Sequence, residues 1–156
     1  FHSHLYTLFK NYSRNILNYI MDGKPEPGIF GNNYSEELNN RVNVTSKLIL
    51  KMDELIKDSD RKFALIIIPT PPQVFEPLIK DKHEELLNWS RPNTELIKLK
   101  EEQDLKVFDL TPELKRYIKD NNETLYFVND PHWNERGNEV VANMIFNWLN
   151  EQSLLQ

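Results

Sequence analysis

The sequence has no cysteine, which excludes disulfide bonds, thiol catalysis and zinc sites built from cysteine. It has only four glycines, none of them clustered, so no glycine-rich loop is present to cradle a phosphate group. A formal net charge of −5 without a long basic run disfavours nucleic acid as the main partner. We therefore expect an acidic globular chain that uses no cofactor and binds no nucleic acid.

Long apolar runs are also missing. The longest one, at 63–68, is far too short to cross a bilayer, so no membrane span is expected in this chain. The length of 156 residues suffices for one domain with a hydrophobic core, and we predict a single α/β domain over 1–156. The sequence leaves the compartment open, with an extracytoplasmic or cell-envelope location among the alternatives.

Helical periodicity dominates what is present. Apolar residues spaced by three and four positions predict helices at 2–21, 36–57, 73–87, 93–103 and 135–151, and Thr111-Pro112-Glu113 predicts the start of another. Ser35 is the predicted N-cap of the second helix. The residues predicted to form the buried stripe of that helix are Leu38, Val42, Ile49, Met52 and Ile56.

Two short runs rich in β-branched and aromatic residues, at 63–68 and 105–110, predict strands. Strands that alternate with helices predict an α/β layered fold with a parallel sheet. Two strands are too few for an independently stable sheet. Either further strands have escaped detection, or chain outside this sequence completes the sheet.

The segment 129–137, Asn-Asp-Pro-His-Trp-Asn-Glu-Arg-Gly, carries the most chemical information. A carboxylate at Asp130 can accept a hydrogen bond from Nδ1 of His132, which leaves Nε2 free to take a proton from a nucleophile. Asn134 is the predicted N-cap of the last helix. Taken alone, a close Asp–His pair is more often structural, and Trp133 is as compatible with a core position as with a cleft wall.

This segment resembles the C-terminal block of SGNH/GDSL-type serine hydrolases, in which Asp and His precede a final amphipathic helix. The family's common spacing is Asp-X-X-His, whereas Asp-X-His followed by Trp-Asn-X-X-Gly is similar to the branch that includes polysaccharide O-acetyltransferases. The run 65–70 followed by Gln73, the triplet 91–93 before a helix, and the triplet 108–110 also resemble that branch. The resemblance extends over 62–149.

The resemblance implies a three-layer α/β/α flavodoxin-like fold with a parallel sheet, of which this chain is the C-terminal portion. It implies an esterase or O-acyltransferase acting on a small acyl ester, such as acetyl on a carbohydrate or lipid. His132 would be the general base and Asp130 its orienting acid. Substrate contacts would come from Thr70, Gln73 and Trp133, although a turn-stabilising role for Thr70 and Gln73 is an equal alternative.

The chain departs from the family in having no Gly-Asp-Ser block and no Gly-X-Asn-Asp block. We therefore expect the nucleophile of a Ser-His-Asp catalytic triad to lie in an upstream part of the same protein. The alternative is a noncatalytic binding or scaffold module that keeps an SGNH-like shell, in which the Asp–His pair only locks its loop.

Other residues are candidates for parts of a functional site, but the sequence supports them less. His83-Glu84 resembles the start of a zinc-peptidase motif, but Leu87 occupies the position of the second histidine, and we predict no metal site. Asp109, at the end of a strand, is equally compatible with a turn and with a cleft. Arg91 is expected to form a salt bridge, with a substrate contact as the alternative.

Overall fold

The computed structural model describes residues 28–59, 61–75, 87–127 and 130–155, apart from the side chains of residues 102 and 103. The helix predicted at 2–21 and most of the helix predicted at 73–87 lie outside the described residues. After a 3₁₀ turn at Gly28–Phe30, the elements are α1 (Glu36–Lys57), β1 (Ala64–Ile67), α2 (Pro71–Phe75), α3 (Arg91–Gln103), β2 (Lys106–Asp109), α4 (Thr111–Asn121) and α5 (Glu135–Glu151).

The broad prediction of mixed α/β structure is confirmed. Within the described residues, the chain is mostly helical and has one small sheet, in which β1 and β2 pair in parallel with Leu65 opposite Val107. The chain consists of two compact units. The described residues 28–59, 61–67 and 87–109 form what we term the sheet unit, and 68–75, 110–127 and 130–155 form the histidine unit.

Explicit capping signals set the ends of the long helices. The Ser35 hydroxyl accepts a hydrogen bond from the Leu38 amide at 3.2 Å, so α1 begins where the sequence predicts. At the start of α4, the Thr111-Pro112-Glu113 pattern predicts Thr111 as the hydroxyl cap and Pro112 as the first helical residue, and this prediction is off by one residue. Leu110 is the N-cap residue and makes no side-chain cap, while Thr111 is the first helical residue.

The predicted buried stripe of α1 is wrong at Met52, which is 51% exposed. Ile49 packs against the core as predicted, and Leu50 packs beside it in place of Met52. This orientation turns Leu48 and Met52 towards solvent and buries Asp53. The cause is that apolar residues occupy much of the helix circumference, so packing rather than pattern selects the inward face.

The core of the sheet unit lies between its two strands and helices α1 and α3. Its buried members are Ile67, Leu99, Leu105 and Val107, and partly buried apolar residues surround them. The predicted structural role of Arg91 is confirmed. Its guanidinium lies 3.8 Å from the centre of the Tyr34 ring and 4.0 Å from Glu95, and it donates hydrogen bonds to the carbonyls of Gly31 and Asn32.

The core of the histidine unit brings α2, α4 and α5 together with the segment that precedes the His132 loop. Phe75, at the end of α2, packs edge-on against Tyr126 with the ring centres 5.9 Å apart. The Tyr126 hydroxyl donates a hydrogen bond to the Pro69 carbonyl at 3.2 Å. Other buried apolar residues among the described part of this unit include Val74, Leu110, Leu114, Leu125, Val140 and Val141.

Candidate catalytic site around His132

A short antiparallel pairing presents the His132 loop. The Phe127 amide donates to the His132 carbonyl at 3.0 Å, and the Asn134 amide donates to the Leu125 carbonyl at 3.0 Å. Between these two bonds, Tyr126 lies opposite Trp133. The loop that carries Asp130 therefore leaves and returns through hydrogen-bonded backbone, which fixes both of its ends.

The Trp-Asn-X-X-Gly sequence holds this pairing against the last helix. Asn134 is the N-cap of α5, as predicted, and its side-chain oxygen accepts from the Gly137 amide at 2.8 Å. The side-chain amide nitrogen of Asn134, Nδ2, donates to the Thr124 carbonyl at 2.9 Å. A β-carbon at Gly137 would lie 2.1 Å from the Leu125 carbonyl oxygen, so only glycine allows this close approach.

Asp130 and His132 form the predicted carboxylate–imidazole pair. One oxygen of Asp130, Oδ1, lies 2.5 Å from Nδ1 of His132 and also accepts the His132 backbone amide at 2.8 Å. The backbone bond, followed by the bond to the ring, lowers the pKa of Asp130 below its ordinary value. A carboxylate in this position holds the proton on Nδ1 and leaves the lone pair on Nε2.

The imidazole is accessible. The His132 side chain is 81% exposed and the Asp130 side chain is 50% exposed. Among the described residues, no side chain forms a hydrogen bond with Nε2 of His132. The ring can therefore accept a proton from a group that approaches from solvent, and Asp130 would stabilise the imidazolium that results.

Thr70 and Gln73 cap the first turn of α2. The Gln73 side-chain oxygen accepts from the Thr70 backbone amide at 2.8 Å and from the Thr70 hydroxyl at 3.1 Å. The Gln73 backbone amide donates to the Thr70 carbonyl at 3.0 Å. This is the arrangement in which a side chain at the third helical position reaches back to the N-cap residue. The geometry favours the turn-stabilising alternative for both residues, and their contact with substrate stays a prediction.

Trp133 is partly buried on the side of the pairing that also carries Tyr126. Its indole Nε1 is shielded from solvent and has no acceptor among the described residues. The predicted contact of Trp133 with substrate stays a prediction. Asp109 accepts a hydrogen bond from the buried Asn93 amide at 3.0 Å within the sheet unit, which supports a structural role there.

A side-chain network around Arg136 was not predicted from the sequence. Its guanidinium donates to Glu139 at 2.7 Å, to the Tyr117 hydroxyl at 2.8 Å and to Glu123 at 3.2 Å. The bond to Glu139, followed by that to Glu123, raises the pKa of Arg136. The network links α4, the segment after it and the first turn of α5. Only the Arg136–Glu139 spacing of three residues gave a local signal for it.

Phe127, which lies across the pairing from His132 and is 51% exposed, was also not predicted as a site residue. The sequence offers no local signal for its exposure, because Leu125, Tyr126, Phe127 and Val128 form a continuous run of apolar and aromatic residues without alternation.

Within the parts of the chain that the structure describes, no cluster of three or more acidic or histidine side chains is arranged to hold a metal ion. Nor does any described helix combine the length and apolar character that crossing a membrane requires. Comparisons with protein-family models, with curated proteins and with solved structures returned no match.

Proposed function

We propose that this chain supplies the acid–base pair of an SGNH-type ester hydrolase or O-acyltransferase. The observation that carries the proposal is the 2.5 Å contact between Asp130 and Nδ1 of an imidazole that is 81% exposed. A histidine oriented by a carboxylate, with its second nitrogen open, is the arrangement that activates a hydroxyl nucleophile. The finer fold proposed with it is a flavodoxin-like three-layer sheet, of which this chain forms the C-terminal portion.

In the proposed reaction, a serine hydroxyl from the rest of the protein attacks the carbonyl carbon of a small acyl ester carried by a carbohydrate or lipid. Its proton passes to Nε2 of His132, and the imidazolium is stabilised by Asp130. When the ester C–O bond breaks, the same proton passes to the leaving alkoxide. Water or a sugar hydroxyl then attacks the acyl-serine, again with His132 as the base, and releases the acid or the new ester.

The test is ester hydrolysis by the full-length protein, with p-nitrophenyl acetate as the substrate. We expect His132→Ala to lower kcat/KM by about a hundredfold or more, because general base catalysis is lost. Asp130→Asn should also lower the rate strongly, since an amide cannot stabilise the imidazolium. Asp120→Asn, an exposed position at the end of α4, is the matched control and should behave as the unmodified protein. Equal rates for all three variants and the parent would exclude the proposal.

The alternative is a noncatalytic module in which the pair only locks the loop. The observation that favours it is that Oδ1 of Asp130 also holds the His132 backbone amide, a bond that needs no imidazole. A serine-directed fluorophosphonate separates the two. Labelling of the full-length protein that requires His132 supports the enzyme, whereas an unlabelled but folded protein supports the module.

A further inference from the structure

Phe127 is an exposed aromatic side chain placed directly across from the proposed general base. It is 51% exposed, whereas its neighbours Leu125 and Tyr126 are 0% and 4% exposed. Because Tyr126 faces Trp133 and the Phe127 amide bonds the His132 carbonyl, Phe127 and His132 are opposite each other. Opposite residues of an antiparallel pair project from the same side, with β-carbons about 5 Å apart. The benzene ring and the imidazole thus share one accessible surface.

The described residues that follow Phe127 in the sequence expose mainly polar groups. In the adjacent segment 130–139, the exposed side chains other than Pro131 are all polar or charged, namely Asp130, His132, Glu135, Arg136, Asn138 and Glu139. A lipid chain needs continuous apolar surface along its length, which the exposed side chains of 130–139 do not offer. A sugar ring has one apolar face and a rim of hydroxyls, and a single aromatic ring bordered by amides and carboxylates matches that shape and polarity.

The charge of the same segment indicates whether the bound sugar is neutral or anionic. The segment carries three carboxylates, on Asp130, Glu135 and Glu139, and one guanidinium, on Arg136. Arg136 already bonds Glu123 and Glu139, so its charge is balanced locally. A surface with this sign repels uronates and phosphorylated sugars.

We propose that Phe127 is a substrate-contact residue on which an uncharged sugar ring stacks, so that the acyl ester on that ring lies at His132. This inference rests on the proposed esterase or acyltransferase function and specifies its substrate class.

The test compares two neutral acetyl esters, glucose pentaacetate and ethyl acetate, by the ratio of their kcat/KM values measured as acetate release. Phe127→Ala should lower this ratio about tenfold, which corresponds to about 1.4 kcal/mol. Phe127→Leu should lower it as well, whereas Phe127→Trp should preserve it because a larger flat ring is retained. Phe146→Ala removes an aromatic side chain on α5 that is 60% exposed, and it should leave the ratio unchanged.

An unchanged ratio in Phe127→Ala overturns the inference, as does a ratio that Phe127→Leu preserves, since an alkyl group would then suffice. Saturation-transfer NMR with glucose pentaacetate and His132→Ala protein provides a readout without turnover. Saturation-transfer signals from the sugar-ring protons of glucose pentaacetate should be present with His132→Ala protein and lost with the double variant His132→Ala, Phe127→Ala. If the parent protein hydrolyses neither ester, the proposed function fails, and the NMR result still decides whether Phe127 binds the sugar.

Discussion

Replacing Gly137 by alanine sets two opposing effects against each other in the first turn of α5. Alanine is favoured over glycine within a helix by about 1 kcal/mol. The new β-carbon, however, would lie 2.1 Å from the Leu125 carbonyl oxygen and 2.9 Å from the β-carbon of Trp133. The first of these contacts is to backbone, so a change of side-chain rotamer cannot relieve it, and α5 or the paired segment must move.

The cost of that movement outweighs the gain in helix propensity. Overpacking of a buried site costs about 1–3 kcal/mol. Separating the helix from the pairing also weakens the bond from the Asn134 amide to Leu125, 3.0 Å long, which contributes about 1 kcal/mol. After subtracting the propensity gain of about 1 kcal/mol, we expect Gly137→Ala to destabilise the protein by about 2 kcal/mol.

Urea unfolding followed by tryptophan fluorescence measures this change. With a slope of about 2 kcal/mol per molar urea, the midpoint should fall by about 1 M. Ala142→Gly, at an exposed position of the same helix, calibrates propensity alone and should cost about 1 kcal/mol. A Gly137→Ala protein as stable as its parent, or more stable by the amount that Ala142→Gly loses, would show that the close packing on Leu125 is absent.

Two further predictions concern carboxylates. The Asp53 side chain is 3% exposed and lies 2.8 Å from Nζ of Lys57, which is 53% exposed. Lys57→Met should lower the free energy of unfolding by about 1–2 kcal/mol, because it leaves the buried Asp53 carboxylate without its ion-pair partner. The loss should be much smaller in an Asp53→Asn background, and a double-mutant cycle in urea measures the difference. For Asp130, the lowered pKa means that its contribution to stability is present above the unfolded-state pKa and is lost as pH falls through the folded-state pKa. In NMR titrations, His132→Ala should raise the pKa of Asp130 only partly, because alanine keeps the backbone amide that is the larger cause; full restoration would assign the shift to the ring.

Features carried by a few consecutive residues could be predicted from the sequence. Ser35 and Asn134 mark the starts of α1 and α5 because a side-chain cap is a local signal, and the bond between Asp130 and His132 spans only two positions. The start of α2 at Pro71 was missed, although proline is tolerated in a first helical turn.

Features that depend on packing could not be predicted. The exposure of Met52 follows from which side of α1 meets the core, and several sides of that helix are apolar enough to do so. The Arg136 network joins side chains up to 19 positions apart, a separation at which no periodic pattern operates. The flavodoxin-like sheet stays a prediction, because the described residues provide two paired strands.

The enzymatic and the structural interpretations of the His132 loop differ in what the imidazole ring is needed for, catalysis or stability. If the pair only locked the loop, the bond from the His132 backbone amide to Asp130 would serve that purpose with any side chain at the position. A ring that is 81% exposed buries little surface, so its packing contributes little to folding. What the ring adds is a fixed tautomer with an open nitrogen, which has chemical rather than structural value. Loss of ester hydrolysis in His132→Ala without a shift of the urea midpoint would therefore favour catalysis, and a large shift of the midpoint would favour the lock.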